Sequence, residues 1–209
     1  LSRDVRILPG IAQRDRNAPD VMRGEETQLL GALGKYAADD AVVCIPGTHS
    51  KWAMVKGGTV ERFATFMTGE LFGAISRETM LSHAVANAEE AEDISAFKSA
   101  VVAAFDAPVL TANLLFRVRS SQLLYGGSAA AARERISGTL IGLELAAGLG
   151  KDQPNGDITL VASGRLQRLY RLAFDTLSVP VRSIDAEEAV RRGLSMAAGT
   201  IWKIVEDYK

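Results

Sequence analysis

Three short runs carry residue types whose spacing could do chemistry. In Val21-Met22-Arg23-Gly24-Glu25-Glu26-Thr27-Gln28 an arginine and two carboxylates gather where an apolar-periodic segment begins. A carboxylate there could take the proton from an attacking hydroxyl, and Arg23 could hold a substrate carboxylate through two parallel hydrogen bonds. The plainer reading is that acids in a first helical turn only complement the helix dipole. In Ile45-Pro46-Gly47-Thr48-His49-Ser50-Lys51-Trp52 a glycine tips a strand-turn-strand. Backbone N–H groups at such a tip can converge on an anion, with hydroxyls from Thr48 and Ser50 and charge from His49 and Lys51. By spacing alone, an ordinary hairpin accounts for this run better. In Leu160-Val161-Ala162-Ser163-Gly164-Arg165 the Ser163-Gly164 turn could let an adenosine lie flat against the backbone, or simply let a helix pack tightly.

Absences narrow the chemistry further. The chain has no Walker A loop, no G-x-G-x-x-G after a strand, no G-x-S-x-G and no H-E-x-x-H. Its two histidines, His49 and His83, lie far apart and Cys44 is the single cysteine, which disfavours a zinc site or a serine triad. One cysteine also forbids an intrachain disulfide, so a reducing, cytoplasmic setting is the expectation. Any catalysis therefore rests on carboxylates and backbone amides. With 24 Lys+Arg against 25 Asp+Glu, interspersed, the charge balance points neither to nucleic acid nor to a membrane surface. No apolar run approaches the about 20 residues of a spanning helix.

The elements that must position these runs follow from periodicity and turn chemistry. Residues 5–11 read as a strand closed by Pro9-Gly10, and a helical pattern starts at Val21 and stops at Gly34 and the polar residues 37–40. The continuous apolar run of residues 41–45 reads as a strand buried on both faces. Residues 51–56 and 59–66 read as two further strands joined by the hairpin signal Gly57-Gly58. Thr68-Gly69-Glu70 opens a mostly helical stretch to Gly150, with breaks near Asn87, Pro108 and Gly126-Gly127. Gly138 and Gly142 sit one turn apart in its last helix, where each glycine costs about 1 kcal/mol relative to alanine. Something, a helix or a ligand, must come close to that backbone. Strand 158–161, helix 165–177, strand 179–183 and a helix from Ala186, with Asp185 and Glu188 as a capping box, complete an α/β grammar. The 47% hydrophobic content is enough for a real core.

Together the runs at 21–28 and 46–52 resemble the 2-dehydro-3-deoxygalactonokinase family of the sugar kinase/hsp70/actin superfamily. Met67-Thr68-Gly69-Glu70-Leu71 and Ser137-Gly138-Thr139-Leu140-Ile141-Gly142-Leu143-Glu144 follow in the family's order, and the resemblance covers essentially the whole chain. It implies an actin/hexokinase-like, ribonuclease H-like α/β fold of two domains closing on a cleft. Residues 1–38 would be a remnant of the N-terminal domain with the crossover helix. Residues 39–209 would form the C-terminal ATP-binding domain, with a helical insertion at about 70–150.

The activity implied is transfer of a phosphoryl group from ATP-Mg2+ to the 6-hydroxyl of 2-dehydro-3-deoxy-D-galactonate, in galactonate catabolism. Glu26 is the first choice for general base and Glu25 the second, with Arg23 and Glu70 on the sugar acid. Gly47, Thr48, His49, Ser50 and Lys51 would form the second phosphate loop. Gly142, Ser163 and Gly164 would serve the nucleotide, while metal ligands stay unassigned. The partner is a small-molecule sugar acid, and a homodimer stays open. The family's first phosphate motif, an Asp-x-Gly-Thr-like β-turn, has no counterpart here. Polypeptide upstream of Leu1 is therefore expected, and a molecule starting at Leu1 is expected to be inactive. Two rivals stand: a kinase or phosphohydrolase of the same fold acting on another sugar acid, and a non-catalytic sugar-acid or nucleotide-binding module.

Overall fold

The computed structural model describes residues 4–34, 40–86, 92–150 and 157–202. Strands β1 (Ile11–Gln13) and β2 (Asp20–Met22) form an antiparallel ribbon leading into helix α1 (Glu25–Leu33). This corrects two expectations. Residues 4–10 carry no regular structure, and the helix begins after Gly24 rather than at Val21. Val21 is exposed and Met22 buried, the alternation of a strand, and the Gly24 φ of 108° makes the bend into the helix. The helix stop at residues 37–39 and the break near Asn87 lie outside the described residues.

The meander is as expected: β3 (Ala41–Ile45), β4 (Ser50–Lys56) and β5 (Thr59–Phe66) pair antiparallel. Gly57 and Gly58 both take positive φ, 52° and 78°, as a two-residue hairpin of primed type requires. Helices α2 (Thr68–Glu78), α3 (Ser82–Val85), α4 (Ile94–Asp106), α5 (Thr111–Tyr125) and α6 (Ala129–Gly148) follow. Next come β6 (Asp157–Val161), α7 (Gly164–Thr176), β7 (Val181–Ile184) and α8 (Ala186–Trp202). Strands β6 and β7 run parallel to β3, giving one mixed sheet of order β5-β4-β3-β6-β7.

Both faces of the sheet are covered, which explains why β3 is apolar throughout. Val42 and Cys44 face a core built with Phe97, Val101, Ile141, Leu145, Tyr170 and Phe174 of α4, α6 and α7. Val43 and Ile45 face the opposite core, with Leu29 and Ala32 of α1 and Ala189 of α8. A third cluster around Ile136, Leu140, Val118 and Leu81 holds the helical region together. Helix spacing is set by glycines. A Cβ on Gly31 would lie 1.8 Å from the Ala189 carbonyl oxygen, and one on Gly193 would lie 2.0 Å from that of Thr27, so α1 and α8 cross in backbone contact. Gly138 and Gly142 do the same for α6 against α4, each with a carbonyl oxygen of α4 at 2.5 Å from a built Cβ. Among the described residues, no single helix is long and apolar enough to cross a membrane.

Candidate active site

The chain leaves β3, β6 and β7 on the same edge of the sheet, because the three strands are parallel and paired through Cys44 with Leu160 and Val161 with Ile184. Carboxyl ends of parallel strands are where α/β sheets hold ligands. Two exits carry sequence candidates, Pro46-Gly47-Thr48-His49 after β3 and Ser163-Gly164 after β6, and the exit of β7 carries the helix cap Asp185. The start of α1 reaches the first of these. Arg23, Glu25 and Gln28 on one side and Gly47, Thr48 and His49 on the other line a cleft of about 540 Å³, with Val190 and Leu194 of α8 completing its wall. A second opening of about 500 Å³ lies against the β1–β2 ribbon and shares Arg23, Glu25 and His49 with the first.

The two carboxylates at the helix start differ in setting. Glu25 lines both openings, while its Oε2 accepts the Arg23 N–H at 3.0 Å. Glu26 lines neither, and its Oε2 accepts the Gly24 N–H at 2.6 Å. Arg23 is exposed, and its guanidinium has no ion-pair partner among the described residues. Across the cleft, the His49 Nε2 lies 2.6 Å from Glu70 Oε2, both half-exposed, and the Glu70 N–H donates to the Thr48 carbonyl at 3.0 Å. The structure thus joins Glu70 to the turn through His49.

Several candidates are held by other groups, although Lys51 still lines the second opening. Ser50 is fully buried; its Oγ lies 3.2 Å from the Tyr170 hydroxyl and 3.4 Å from the Gly47 N–H. Lys51 is 5% exposed, and its ammonium donates to the Val21 carbonyl at 3.1 Å and to Thr65 Oγ1 at 2.8 Å. Thr65 in turn donates to Asp20 Oδ1 at 2.6 Å, so the lysine ties the ribbon to the sheet. Gly142 is buried, and the close approach at that helix is by α4, through the Val101 carbonyl. Gly47 itself does not take positive φ, and a Cβ there would meet only an ordinary contact at 3.6 Å. The tight position is Gly69, whose Cβ would lie 2.4 Å from the Gly47 carbonyl oxygen. Close packing of α2 beneath the turn needs that glycine.

At the second exit, Ser163 Oγ donates to Asp185 Oδ2 at 2.6 Å and accepts the Ala186 N–H at 3.0 Å. Asp185 Oδ1 caps α8 by accepting the N–H groups of Glu187 and Glu188, each at 3.0 Å. Only half of the expected capping box forms, since Glu188 pairs with Arg192 instead. The Ser163 hydroxyl, then the Glu188 amide, holds the Asp185 carboxyl below its usual range. Gly164 has a φ of 60° with open space where a Cβ would be, so backbone is presented to solvent there.

Sequence reasoning gave no role to Glu144 and Tyr170, which lie buried under the Gly47 turn. The available signal was a single glutamate set in the apolar helical run 138–145. Burial pushes the Glu144 carboxyl above the ordinary glutamate value, with hydrogen bonds from Thr68, Tyr170, Trp52 and Ser50 opposing. Burial and the neighbouring Glu144 push the Tyr170 hydroxyl well up. Among the described residues, no group of three His, Cys, Asp or Glu side chains is placed to hold a metal ion.

The family model described as 2-keto-3-deoxy-galactonokinase matches residues 1–197. A Rhizobium meliloti (strain 1021) protein named probable 2-dehydro-3-deoxygalactonokinase is 55% identical over 205 residues, 98% of this chain and 67% of its own length. The 2-dehydro-3-deoxygalactonokinase of Escherichia coli (strain K12) is 31% identical over 195 residues, 93% of this chain and 65% of its own length. A crystal structure of a Sinorhizobium meliloti protein assigned as a 2-dehydro-3-deoxygalactonokinase superposes with a TM-score of 0.93 at 54% identity, covering 98% of this chain and 68% of that one. The chain therefore spans about two thirds of the length of the relatives it matches.

Proposed function

From the premise that this chain belongs to the 2-keto-3-deoxy-galactonokinase family, we propose that it carries the ATP-binding part of a sugar-acid kinase. The reaction moves the γ-phosphoryl group of ATP to the 6-hydroxyl of 2-dehydro-3-deoxy-D-galactonate, a reading supported by the 2-dehydro-3-deoxygalactonokinase names of its relatives. The observation that carries this reading is the cleft in which the α1 start faces the β3–β4 turn. It brings a carboxylate, a guanidinium and a bend of backbone amides to one space, the parts phosphoryl transfer needs for positioning and charge stabilisation.

Within that cleft Glu25 is the general base, accepting the proton of the attacking hydroxyl, because it faces the opening. Glu26 is turned back onto the Gly24 amide and shapes the helix start. This reverses the sequence-based preference. Arg23, exposed at the junction of the two openings, clamps the substrate carboxylate through its planar fork. Backbone groups of Gly47 and Thr48 face the nucleotide phosphates, and His49, paired with Glu70, borders both openings. Mg2+ would enter with the nucleotide as part of the substrate and would neutralise the charge of the phosphates.

The sheet order with an antiparallel meander and two parallel strands is what supports the ribonuclease H-like reading of residues 39–209. The α1–α8 crossing supports α1 as the crossover helix between two domains, and the cytoplasm is the proposed location. An ADP-release assay on the purified full-length protein, across a panel of sugar acids with a no-acid control, tests the function. ADP release dependent on 2-dehydro-3-deoxy-D-galactonate is the expected result. Acid-independent release, or none with any acid, would refute it.

A further inference from the structure

The side chain that ties the most elements together under the cleft is Glu144 of α6. It is 1% exposed, and among the described residues it has no cationic partner. Its Oε1 accepts the Trp52 indole N–H at 2.8 Å, from β4. Its Oε2 accepts the Tyr170 hydroxyl at 2.6 Å, from α7, and the Thr68 hydroxyl from the first residue of α2. An ionised carboxylate in the interior is costly unless its lone pairs are filled. Here hydroxyl and indole donors from three separate elements fill them.

Two branches lead from this carboxylate to the cleft. One runs through Tyr170 to Ser50 Oγ at 3.2 Å, and from Ser50 to the Gly47 N–H at 3.4 Å, at the entry of the turn. The other runs through Thr68 to the start of α2. There Gly69 packs on the Gly47 carbonyl, and the Glu70 N–H donates to the Thr48 carbonyl at 3.0 Å. Both sides of the turn are thus fastened to a single group, while the outer face of Gly47 and Thr48 stays open to the cleft. Fixed donors stabilise developing charge better than donors that must reorganise. A packing role alone would be met by an apolar residue of similar volume.

We propose that Glu144 is the positioning residue of the phosphate-binding turn, holding the Gly47–Thr48 backbone in place for the nucleotide through Tyr170–Ser50 on one branch and Thr68 on the other. This rests on the kinase reading above and assigns a buried residue to its nucleotide half. Glu144 touches neither substrate and does not react. Its loss acts on nucleotide binding and on the rate of transfer, while the sugar-acid side, built on Arg23 and Glu25, is left as it was.

The test uses the full-length protein with the substitutions Glu144→Gln, Ser50→Ala and Thr68→Val. ADP-Mg2+ affinity is measured by calorimetry, and KM for each substrate by the coupled assay. Glu144→Gln is expected to raise the ADP Kd and the ATP KM about tenfold or more and to lower kcat. KM for the sugar acid should stay within about twofold. Ser50→Ala and Thr68→Val, each cutting one branch, should give smaller shifts of the same kind, and they carry the test if Glu144→Gln fails to fold. An unchanged ADP Kd in folded Glu144→Gln, or a parallel rise in both KM values, overturns the proposal. Normal ADP binding by the wild type without acid-dependent turnover would instead overturn the kinase reading alone, and a wild type that binds no ADP would overturn both.

Discussion

Adjacent glutamates, Glu25 and Glu26, share a helix start yet take different parts, because successive residues on a helix point about 100° apart. Replacement of Glu25 by glutamine keeps shape and removes the proposed base, so kcat should fall by about 10²–10⁴-fold with a modest change in KM. Glu26→Gln should cost far less activity, since its amide oxygen can still accept the Gly24 N–H. Steady-state kinetics on the two variants decides between them, and equal losses would remove the distinction. Arg23→Lys keeps the charge but loses the two-pronged fork, so KM for the sugar acid should rise while KM for ATP holds. An unchanged sugar-acid KM would withdraw Arg23 from that role.

Helix contacts in this molecule depend on missing side chains. Gly31 and Gly193 let α1 and α8 touch backbone to backbone, and the cleft that α1 lines from its first turn is held by that crossing. Gly31→Ala should cost about 1–3 kcal/mol through overpacking, read as a lowered Tm, and should also disturb turnover by shifting the α1 start. Gly142→Ala also meets a backbone carbonyl oxygen, that of Val101 in α4 at 2.5 Å, but on the opposite side of the sheet. Its Tm should fall by a similar amount while the ATP KM of the folded fraction stays put. A raised ATP KM in Gly142→Ala would return that glycine to the nucleotide site.

Across the whole chain, buried acids set how stability responds to pH. Glu144 and Glu134 both have carboxyls raised above the ordinary 4.5 by burial, with Arg165 partly offsetting it at Glu134. A raised folded-state pKa means that the folded protein binds more protons than the unfolded chain in the window above 4.5. Their contribution is therefore fully present below that value and is lost as pH rises through the folded pKa. Asp185 has the opposite sign: its lowered carboxyl favours the fold above the ordinary 3.8 and loses that effect as pH falls further. Urea denaturation from about pH 4 to about pH 8 should show the wild type losing stability relative to Glu144→Gln as pH rises through the acid range. A difference between the two that does not vary with pH would mean that Glu144 titrates normally.

Local rules alone determined much of this protein. The apolar run of residues 41–45, the Gly57-Gly58 hairpin and the Asp185 helix start are fixed by neighbours a few residues apart, and they stand where the sequence puts them. The β1–β2 ribbon was missed because two three-residue strands carry too little periodicity to outweigh the helical pattern that follows. Composition located the chemistry of the Pro46–Lys51 run, but not which way its side chains turn. Ser50 faces inward because Tyr170 waits 120 residues further along, and Lys51 because Val21 and Thr65 do. Glu144 meets Trp52 across 92 positions, and Gly142 meets Val101 of another helix. Contacts of that range have no local trace, since they exist only once the sheet has brought distant elements within hydrogen-bonding distance. Tertiary structure alone decided them.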